Sequence, residues 1–228
     1  KEIRMKWHTS LGIGEDNYRF HDHEKLAHYA DAATDIEFKF PFGFKELEGI
    51  HSRTDFDLKQ HQEFSGKKLQ YFDHELNESY TPYVVETSIG LDRMFLAIFS
   101  NSLCEETLEN NTTRIVLKIP PFLSPYKVAV LPLVKKDGLS ELAKDIYNNL
   151  KLDFNVTYDE KDAVGRRYRR QDAIGTPYCI TIDHQTKEDS TITIRDRDTM
   201  TQDRIPLNEV ESYIKDKVSF NSTLSKTL

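Results

Sequence analysis

The chain has 228 residues, of which 38% are hydrophobic and 30% charged, a balance that is ordinary for a globular protein with one large domain or two small ones. No apolar run approaches the roughly 18 residues that a membrane span requires, and residues 1–10 lack the apolar core of a secretory signal. The net charge of −7 argues against a protein that binds nucleic acids indiscriminately.

The first half of the chain combines one long periodic segment with shorter apolar runs. Apolar residues three and four apart predict a helix that ends before Pro41. A second apolar helix is predicted after Gly90, which itself follows a strand-like run. The predicted elements are a helix over 22–40, a short strand over 46–50, an exposed insertion or hairpin over 55–80, a strand over 83–86 and a helix over 91–103.

Three prolines among residues 120–125 cannot continue a helix or a central strand, so a domain boundary is predicted there. Strands and helices alternate after it, as in a compact α/β domain. The predicted elements are a buried parallel strand over 128–131, a helix over 139–150, a strand over 154–158, a basic helix over 165–173, two paired strands over 178–183 and 190–195, and a helix over 207–218. The predicted domains are residues 1–126 and 127–220, followed by a frayed tail over 221–228.

The segment from Glu86 to Arg93 has the residue types of a site for an amine and an anion. A strand presents Glu86 and Ser88, Gly90 lets the backbone approach a ligand, and a helix then begins beside Arg93. Free amides at a helix start favour anions, and the arginine fork suits phosphate oxygens. The alternative is that Asp92 satisfies the helix start and Arg93 makes a surface ion pair.

A pair of carboxylates lies in the predicted strand over residues 46–50. Alternation places Glu46 and Glu48 on the same face, where they could bind a divalent cation, accept an amine or make salt bridges. Arg53 would supply a cationic partner for these carboxylates. The alternative is an edge strand whose charges are solvated or ion-paired.

A dense basic cluster stands out in the second half, which is close to neutral, whereas most of the negative charge lies in residues 1–126. The cluster consists of Arg166, Arg167, Tyr168, Arg169 and Arg170. Basic residues around an aromatic ring suit a single-stranded RNA loop, although four arginines of one helix cannot all face the same ligand. The alternative is a solvated helix whose cations pair with nearby acids.

Several other kinds of site are absent from the sequence. It has no GxSxG, Walker A or Rossmann fingerprint. The histidines His21, His23 and His28 lack the spacing of a zinc protease and are expected to be solvated or hydrogen-bonded. Cys104 and Cys179 have no CxxC spacing, so we expect reduced thiols in a cytoplasmic protein and no zinc site.

Taken jointly, residues 42–58, 86–93, 165–177 and 193–200 resemble the dimeric, eukaryote-like form of glycyl-tRNA synthetase, a class II aminoacyl-tRNA synthetase. The resemblance runs from about Tyr18 to Phe220. Residues 90–93 resemble class II motif 3. The implied fold class is α/β (α+β), with the end of an antiparallel-sheet catalytic domain followed by a compact mixed-sheet α/β anticodon-binding domain.

The resemblance implies ATP-dependent activation of glycine and its transfer to tRNA(Gly), with ATP and Mg²⁺ as cofactors. It also implies glycine and tRNA(Gly) as partners, a homodimer in the full-length protein, and neither membrane nor DNA binding. The implied ATP-binding residues are Glu46, Leu47, Gly90, Leu91, Asp92 and Arg93, with Glu46 also reaching Mg²⁺ and Arg53 close by. The implied glycine-binding residues are Glu86, Thr87, Ser88, Ile89 and Gly90, and the implied anticodon-binding residues are those of the basic cluster.

Two departures from the family pattern matter. Thr87 stands where the family's substrate loop usually has a proline, so we expect a less preorganised loop. Motifs 1 and 2 do not occur in the sequence, so the chain is expected to be a fragment that cannot form the adenylate alone. The alternatives are a non-catalytic tRNA-binding accessory protein or paralogue that uses the anticodon-binding domain, and an α/β nucleotide-binding module without an RNA role.

Overall fold

The computed structural model describes residues 1–109 and 111–221, which form two compact units that divide after Ser100. Of the predicted tail, residues 222–228 lie outside the described residues. None of the described helices has the length and apolarity to cross a membrane.

The first unit is built on a four-stranded antiparallel sheet with the order β1–β2–β3–β6. A second hairpin, β4–β5, stands apart from that sheet. The elements are α1 (Glu2–Ser10), β1 (Tyr18–Asp22), β2 (Ala32–Phe40), β3 (Gly43–Ser52), α2 (Phe56–Ser65), β4 (Tyr71–Asp73), β5 (Glu78–Tyr80), β6 (Val85–Ile89) and α3 (Leu91–Ser102).

The predicted helix over residues 22–40 is wrong, because the segment contains the end of β1 and the whole of β2. In β2 the side chains of Thr34, Ile36, Phe38 and Phe40 are all buried, which is the two-residue period of a strand. The spacings of three and four arose by combining residues of β2 with residues of the loop before it. Strand pairing, which sequence periodicity does not report, therefore decided the local structure.

The other predictions for this unit agree better with the structure. The strand at residues 46–50 lies inside β3, and the strand and helix on either side of Gly90 are β6 and α3. The segment 55–80 contains the expected hairpin, and it also contains helix α2, which was not predicted. No residue of α2 is fully buried, so the helix lacks the apolar stripe that would reveal it.

A β-bulge between β2 and β3 sets the two faces of the main sheet. Ile36 pairs with Glu48, and Glu37 pairs with Glu46, so Leu47 is an extra residue in β3. Because cross-strand partners point to the same face, Glu46 and Glu48 point to opposite faces. The prediction that these two carboxylates share a face is wrong, since the bulge interrupts the alternation on which it rests.

The second unit has a five-stranded mixed sheet with the order β10–β9–β11–β12–β13, in which β9 is parallel to both of its neighbours. Its core lies between this sheet and helices α4 and α7. The elements are β7 (Leu103–Thr107), β8 (Thr113–Leu117), β9 (Val128–Pro132), α4 (Leu139–Leu150), β10 (Val156–Tyr158), α5 (Val164–Ile174), β11 (Tyr178–Ile182), α6 (His184–Asp189), β12 (Thr191–Asp196), β13 (Gln202–Pro206) and α7 (Val210–Val218).

The predicted alternation of strands and helices is confirmed here, including the buried parallel strand β9 and the antiparallel pair β11–β12. The mixed α/β fold class is also confirmed. Helix α6, strand β13 and the hairpin β7–β8 were not predicted, because each element is only five or six residues long and gives little periodic signal.

The hairpin β7–β8 belongs to the second unit, although it precedes the proline-rich segment. Its Arg114 forms an ion pair with Asp172 of α5 at 3.1 Å, and its Leu117 lies against Gly175 at the end of that helix. The proline-rich segment itself forms one turn of 3-10 helix within the unit, Pro121–Leu123. The division into domains 1–126 and 127–220 stays a prediction.

Candidate functional site

The main sheet of the first unit has one polar face, which we call the polar sheet face. Strand pairing arranges its residues in rows that run across the sheet. These rows are Arg19–Glu37–Glu46, His21–Asp35–Gly49–Ser88 and Ala33–His51–Glu86. Three of the residues predicted to bind ATP or glycine, Glu46, Glu86 and Ser88, therefore lie on the same face.

The bulge brings Glu46 next to Arg93, the arginine at the start of α3. Arg93 Nη1 donates to the backbone oxygen of Glu46 at 2.6 Å and lies 3.4 Å from its carboxylate. Both side chains remain about half exposed, 53% for Arg93 and 54% for Glu46, so each can still meet a ligand.

A cleft of about 380 Å³ opens beside these two residues. Its other lining residues are Phe40, Phe42, Lys45 and Leu96. The rings of Phe40 and Phe42 are stacked, with centroids 5.1 Å apart and planes 5° apart. The cleft thus combines an aromatic wall with cationic and anionic side chains, and its volume lies within the range of small-molecule sites.

Leu47 and Glu48 have their side chains in the interior. Leu47 is 1% exposed, so only its backbone can meet a ligand. Glu48 accepts hydrogen bonds from Arg4, at 2.5 and 3.0 Å, and lies 2.6 Å from His8 Nε2. Burial raises the pKa of Glu48, but the contacts with His8 and Arg4 outweigh it and hold the pKa below its ordinary value. Glu48 therefore fixes α1 to the sheet.

Arg53 connects the predicted glycine site to the neighbouring helix. Its guanidinium donates to Asp57 at 2.5 and 3.1 Å and to Glu86 Oε2 at 2.6 Å, and it lies over the ring of Tyr29 at 4.1 Å. The hydrogen bonds with Asp57 and Glu86 raise the pKa of Arg53, and the same contact lowers the pKa of Asp57. Glu86 is thereby fixed in position by one of its two oxygens.

In the middle row Gly49, which has no side chain, lies between Asp35 and Ser88 and is buried. A Cβ at Gly49 would come within 3.0 Å of His51 Cε1 and 3.7 Å of Asp35 Oδ1. The Nδ1 atom of His51 is buried and has no hydrogen-bond partner in the part of the chain that the structure describes. Sequence reasoning missed Asp35, Gly49 and His51, since only strand pairing relates them to Glu86 and Ser88.

The other predicted site residues around Gly90 lie either on the far face of β6 or at the start of α3. Thr87 and Ile89 point to the opposite face of β6, because they pair with Ile50 and Glu48. Gly90 precedes α3, and Leu91, Asp92 and Arg93 form its first turn, where backbone amides are free. The segment thus offers Glu86 and Ser88 to the polar sheet face and the helix start to an anion.

No group of three or more acidic, histidine or cysteine side chains that could hold a metal ion occurs among residues 1–109 and 111–221. The carboxylate opposite Glu46 is Glu37, which accepts a hydrogen bond from Arg19 at 2.5 Å. One or two carboxylates together with substrate phosphates are the ligand set that Mg²⁺ commonly takes. Glu46 and Glu37 could supply the one or two carboxylates of such a site, but they do not provide a full set of protein ligands for Mg²⁺.

In the second unit the basic cluster lies on α5, but two of its members are engaged in the interior. The guanidinium of Arg167 donates to the backbone oxygens of Pro132, Asp159 and Leu133 at 2.5, 3.2 and 3.2 Å. The hydroxyl of Tyr168 forms a 2.6 Å hydrogen bond with Thr181. Burial raises the pKa of Tyr168. These two side chains support α5 against the sheet.

The other three arginines of the cluster are exposed. Arg170 pairs with Asp159 at 2.6 Å and with Asp162 at 2.9 Å. Arg169 is 43% exposed and lies 3.5 Å from Asp172, and Arg166 is exposed near the start of the helix. Arg166 and Arg169 are therefore the cluster members with the fewest contacts to other side chains. Because the cluster lies on one helix, its members point in different directions, and only some of them can face a common ligand.

A buried ion-pair network lies beneath these surface arginines and was not predicted. Asp172 accepts from Arg195 at 2.7 and 3.0 Å and from Arg114 at 3.1 Å. Arg114 also donates to Glu106 and to the backbone oxygen of Arg197. The residues come from β7–β8, α5 and β12, so no sequence spacing relates them.

Comparison with known proteins relates residues 127–217 of the second unit to a described family, and one solved structure resembles the fold of most of the chain. The family model described as "Anticodon binding domain" matches residues 127–217. A structure of the RNA-binding domain of threonyl-tRNA synthetase from Cryptosporidium parvum has a similar fold, with a TM-score of 0.61 over 84% of this chain and 44% of that one. Its sequence identity of 19% supports likeness of fold alone.

Curated relatives match almost the whole chain. Glycine–tRNA ligases from Geobacillus kaustophilus and Borrelia hermsii are 51% and 52% identical to it, over 96% and 91% of the chain. The enzyme from Chlorobaculum tepidum is 49% identical over 96% of the chain. The chain spans about half the length of these relatives, 48%, 48% and 46%. Together, these matches show that the chain is similar to about half of a glycine–tRNA ligase and that its residues 127–217 match an anticodon-binding domain.

Proposed function

We propose that the chain is part of a glycine–tRNA ligase of the dimeric, eukaryote-like form, an enzyme that activates glycine with ATP and transfers it to tRNA(Gly). The observation that carries this proposal is the polar sheet face, on which Glu46, Glu86 and Ser88 lie together with Arg93 beside them. An amine-binding carboxylate and a phosphate-binding arginine in one site are what the joining of an amino acid to a nucleotide requires.

Glycine would bind on the polar sheet face beside Glu86 and Ser88. Arg53 engages Oε2 of Glu86, which leaves Oε1 of that carboxylate to accept the ammonium group. Ser88, two residues along the same strand and on the same face as Glu86, would act as a hydroxyl donor or acceptor. Asp35 and the His51 ring, which lies over Gly49, would limit the space for a substrate side chain. Steric exclusion is enough to reject larger amino acids, since glycine is the smallest.

ATP would occupy the cleft beside α3. The stacked rings of Phe40 and Phe42 offer an apolar wall for the base, and Arg93 offers a fixed cation to the phosphates. The free amides at the start of α3, from Gly90 to Asp92, favour the same anion. Leu47 would contribute through its backbone only. Mg²⁺ would be held by Glu46, with Glu37 opposite, and would neutralise phosphate charge.

The second unit would bind the anticodon of tRNA(Gly). Arg166 and Arg169 would meet the RNA directly. Arg170 would do so only by giving up its carboxylate partners, and Arg167 and Tyr168 would hold α5 in place. The full-length protein would be a homodimer that acts in the cytoplasm, where protein synthesis takes place.

The test is glycine-dependent exchange of pyrophosphate into ATP by the full-length parent protein. We expect exchange with glycine and none with alanine or serine. Exchange with another amino acid would refute the glycine specificity. Complete absence of exchange, with tRNA binding retained, would instead favour a tRNA-binding protein without catalytic activity. Glu86→Gln should abolish exchange, whereas Glu105→Gln, an exposed carboxylate on the hairpin β7–β8, should leave it unchanged.

A further inference from the structure

We propose that the edge of the second unit along β10 and α4 is an additional binding surface for single-stranded RNA, one that does not use the basic cluster of α5. This surface, which we call the tyrosine groove, has a volume of about 530 Å³. It is lined by Tyr126, Lys144, Tyr147, Asn148, Thr157 and Tyr158. The inference rests on the proposed role of this unit in tRNA binding.

Three tyrosine rings give the groove its stacking surfaces. Tyr147 and Tyr158 meet edge to face with centroids 6.1 Å apart, and both pack partly against the hydrophobic core. The hydroxyl of Tyr158 donates to Glu160 at 2.6 Å, which fixes that ring further. Tyr126 is 40% exposed. Rings that are already held in place can stack on bases of any sequence, because every base has a π-face.

One lysine, Lys144, lines the groove, and a second, Lys151, lies near the ring of Tyr147 outside that lining. Lys144 Nζ lies 5.9 Å from the ring centre of Tyr158, and Lys151 Nζ lies 5.3 Å from that of Tyr147. Lys151 donates to the neutral amide of Asn148 at 2.7 Å. Within the part of the chain that the structure describes, neither lysine has a carboxylate within 4.0 Å. The Glu160 carboxylate, whose pKa is lowered mainly by the Tyr158 hydroxyl and to a lesser extent by Lys144, is nearby, but neither lysine is held in an ion pair among the described residues, so both can approach phosphates.

The strand beside the rings contributes its open edge. Among the described residues β10 pairs with β9 alone and ends the sheet, so the outward-facing backbone groups of Val156 and Tyr158 have no neighbouring strand. Backbone amides and carbonyls at such an edge can meet ribose or base atoms. An acidic peptide would satisfy the two lysines but would leave the three rings without stacking partners, so the chemistry favours single-stranded nucleic acid.

The experiment measures binding of the 228-residue chain to a labelled oligouridylate and to a tRNA(Gly) transcript across a range of salt concentrations. The double variant Lys144→Gln/Lys151→Gln should lower the slope of log K against log salt by about 1.4, because each single-strand phosphate contact contributes about 0.7. Tyr126→Ala should weaken oligouridylate binding by about five-fold or more. Lys215→Gln, an exposed lysine of α7 outside the groove, is the matched control and should change neither quantity.

The outcomes separate the inference from the proposed function. If the groove variants bind as the unmodified chain does while Arg166→Ala weakens tRNA binding, the groove is not an RNA site and the tRNA role stands. If the chain binds neither RNA, both proposals fail. If the groove variants lose binding of an acidic peptide but not of RNA, the groove serves a protein partner and the inference is overturned. Circular dichroism of each variant confirms that it is folded.

Discussion

Replacement of Asp172 by alanine should destabilise the second unit strongly. The Asp172 side chain is 0% exposed, and it accepts two hydrogen bonds from Arg195, one from Arg114 and a longer one, 3.5 Å, from the exposed Arg169. Arg195 and Arg114 bind it from the interior. Those two guanidinium groups are themselves buried, with 4% and 1% of their side chains exposed. Burial lowers the pKa of Arg195, but the hydrogen bonds with Asp172 outweigh it and raise the pKa overall.

The size of the effect follows from what the substitution leaves behind. Removal of one partner of a buried ion pair costs about 3–5 kcal/mol, because the other charge remains in a low-dielectric interior. Among the described residues, Arg114 retains Glu106 and two backbone acceptors, whereas Arg195 retains only the ring of Tyr168. We therefore expect the loss of about 3–5 kcal/mol to arise mainly from the unpaired Arg195.

Urea unfolding can measure this change, because the probes distinguish the units. The only tryptophan, Trp7, lies in the first unit, so its fluorescence reports on that unit. Far-UV circular dichroism reports on both. In Asp172→Ala the circular dichroism transition should move to much lower urea while the Trp7 transition stays in place. Arg170→Ala, which breaks an exposed pair, should leave both transitions close to their original positions.

A double-mutant cycle completes the test. Arg195→Met removes the guanidinium that Asp172→Ala leaves unpaired, so the double variant should recover much of the lost stability. A loss below about 1 kcal/mol for Asp172→Ala, or a double variant whose loss equals the sum of the two single losses, would refute the reasoning. Either result would mean that the network does not act as one buried unit.

Three further predictions follow from the same structure. Gly175→Ala should destabilise the second unit by about 1 kcal/mol or more in a thermal scan, because φ is +84° and the new Cβ would lie 2.9 Å from a neighbouring side chain. Gly165→Ala should stabilise the unit by up to about 1 kcal/mol in the same scan, because its new Cβ would meet no atom within 4 Å. Stability of the first unit, read from Trp7 fluorescence, should decline as the pH falls below the ordinary glutamate pKa of about 4.5. The reason is that the folded pKa of Glu48 is lowered, so folding favours the ionised carboxylate. The variant Glu48→Gln should lose that part of the pH dependence. Arg167→Ala should lower the melting temperature without a specific effect on RNA binding, whereas Arg166→Ala should weaken RNA binding and leave the melting temperature unchanged.

The fold of the second unit could be predicted from the sequence because its pattern is local. The continuous apolar run from Val128 to Leu131 indicates a buried parallel strand, and Leu139 to Leu150 has the spacing of an amphipathic helix. The network around Asp172 could not be predicted, since its members come from segments far apart in sequence. Burial of Arg167 also escaped prediction, because its partners are backbone oxygens of β9 and the neighbouring loops.

The first unit was harder to predict because its key feature is a bulge. One extra residue at Leu47 moves Glu46 to the polar sheet face and leaves Glu48 in the interior. Strict alternation places Glu46 and Glu48 on the same face, so the prediction from spacing alone is wrong. Residue types around Glu86 and Arg93 did indicate an amine and phosphate site. The residues that border it, Asp35 and His51, depend on strand register, which spacing alone does not reveal.

The central claim, that this region serves a glycine–tRNA ligase, is tested most directly by anticodon-dependent binding. The measurement compares the affinity of the chain for a tRNA(Gly) transcript with its affinity for the same transcript carrying an unrelated anticodon. We expect the altered transcript to bind at least about tenfold more weakly, a difference of about 1.4 kcal/mol. Equal affinities with the same salt dependence would show binding to the phosphate backbone alone and would contradict the account.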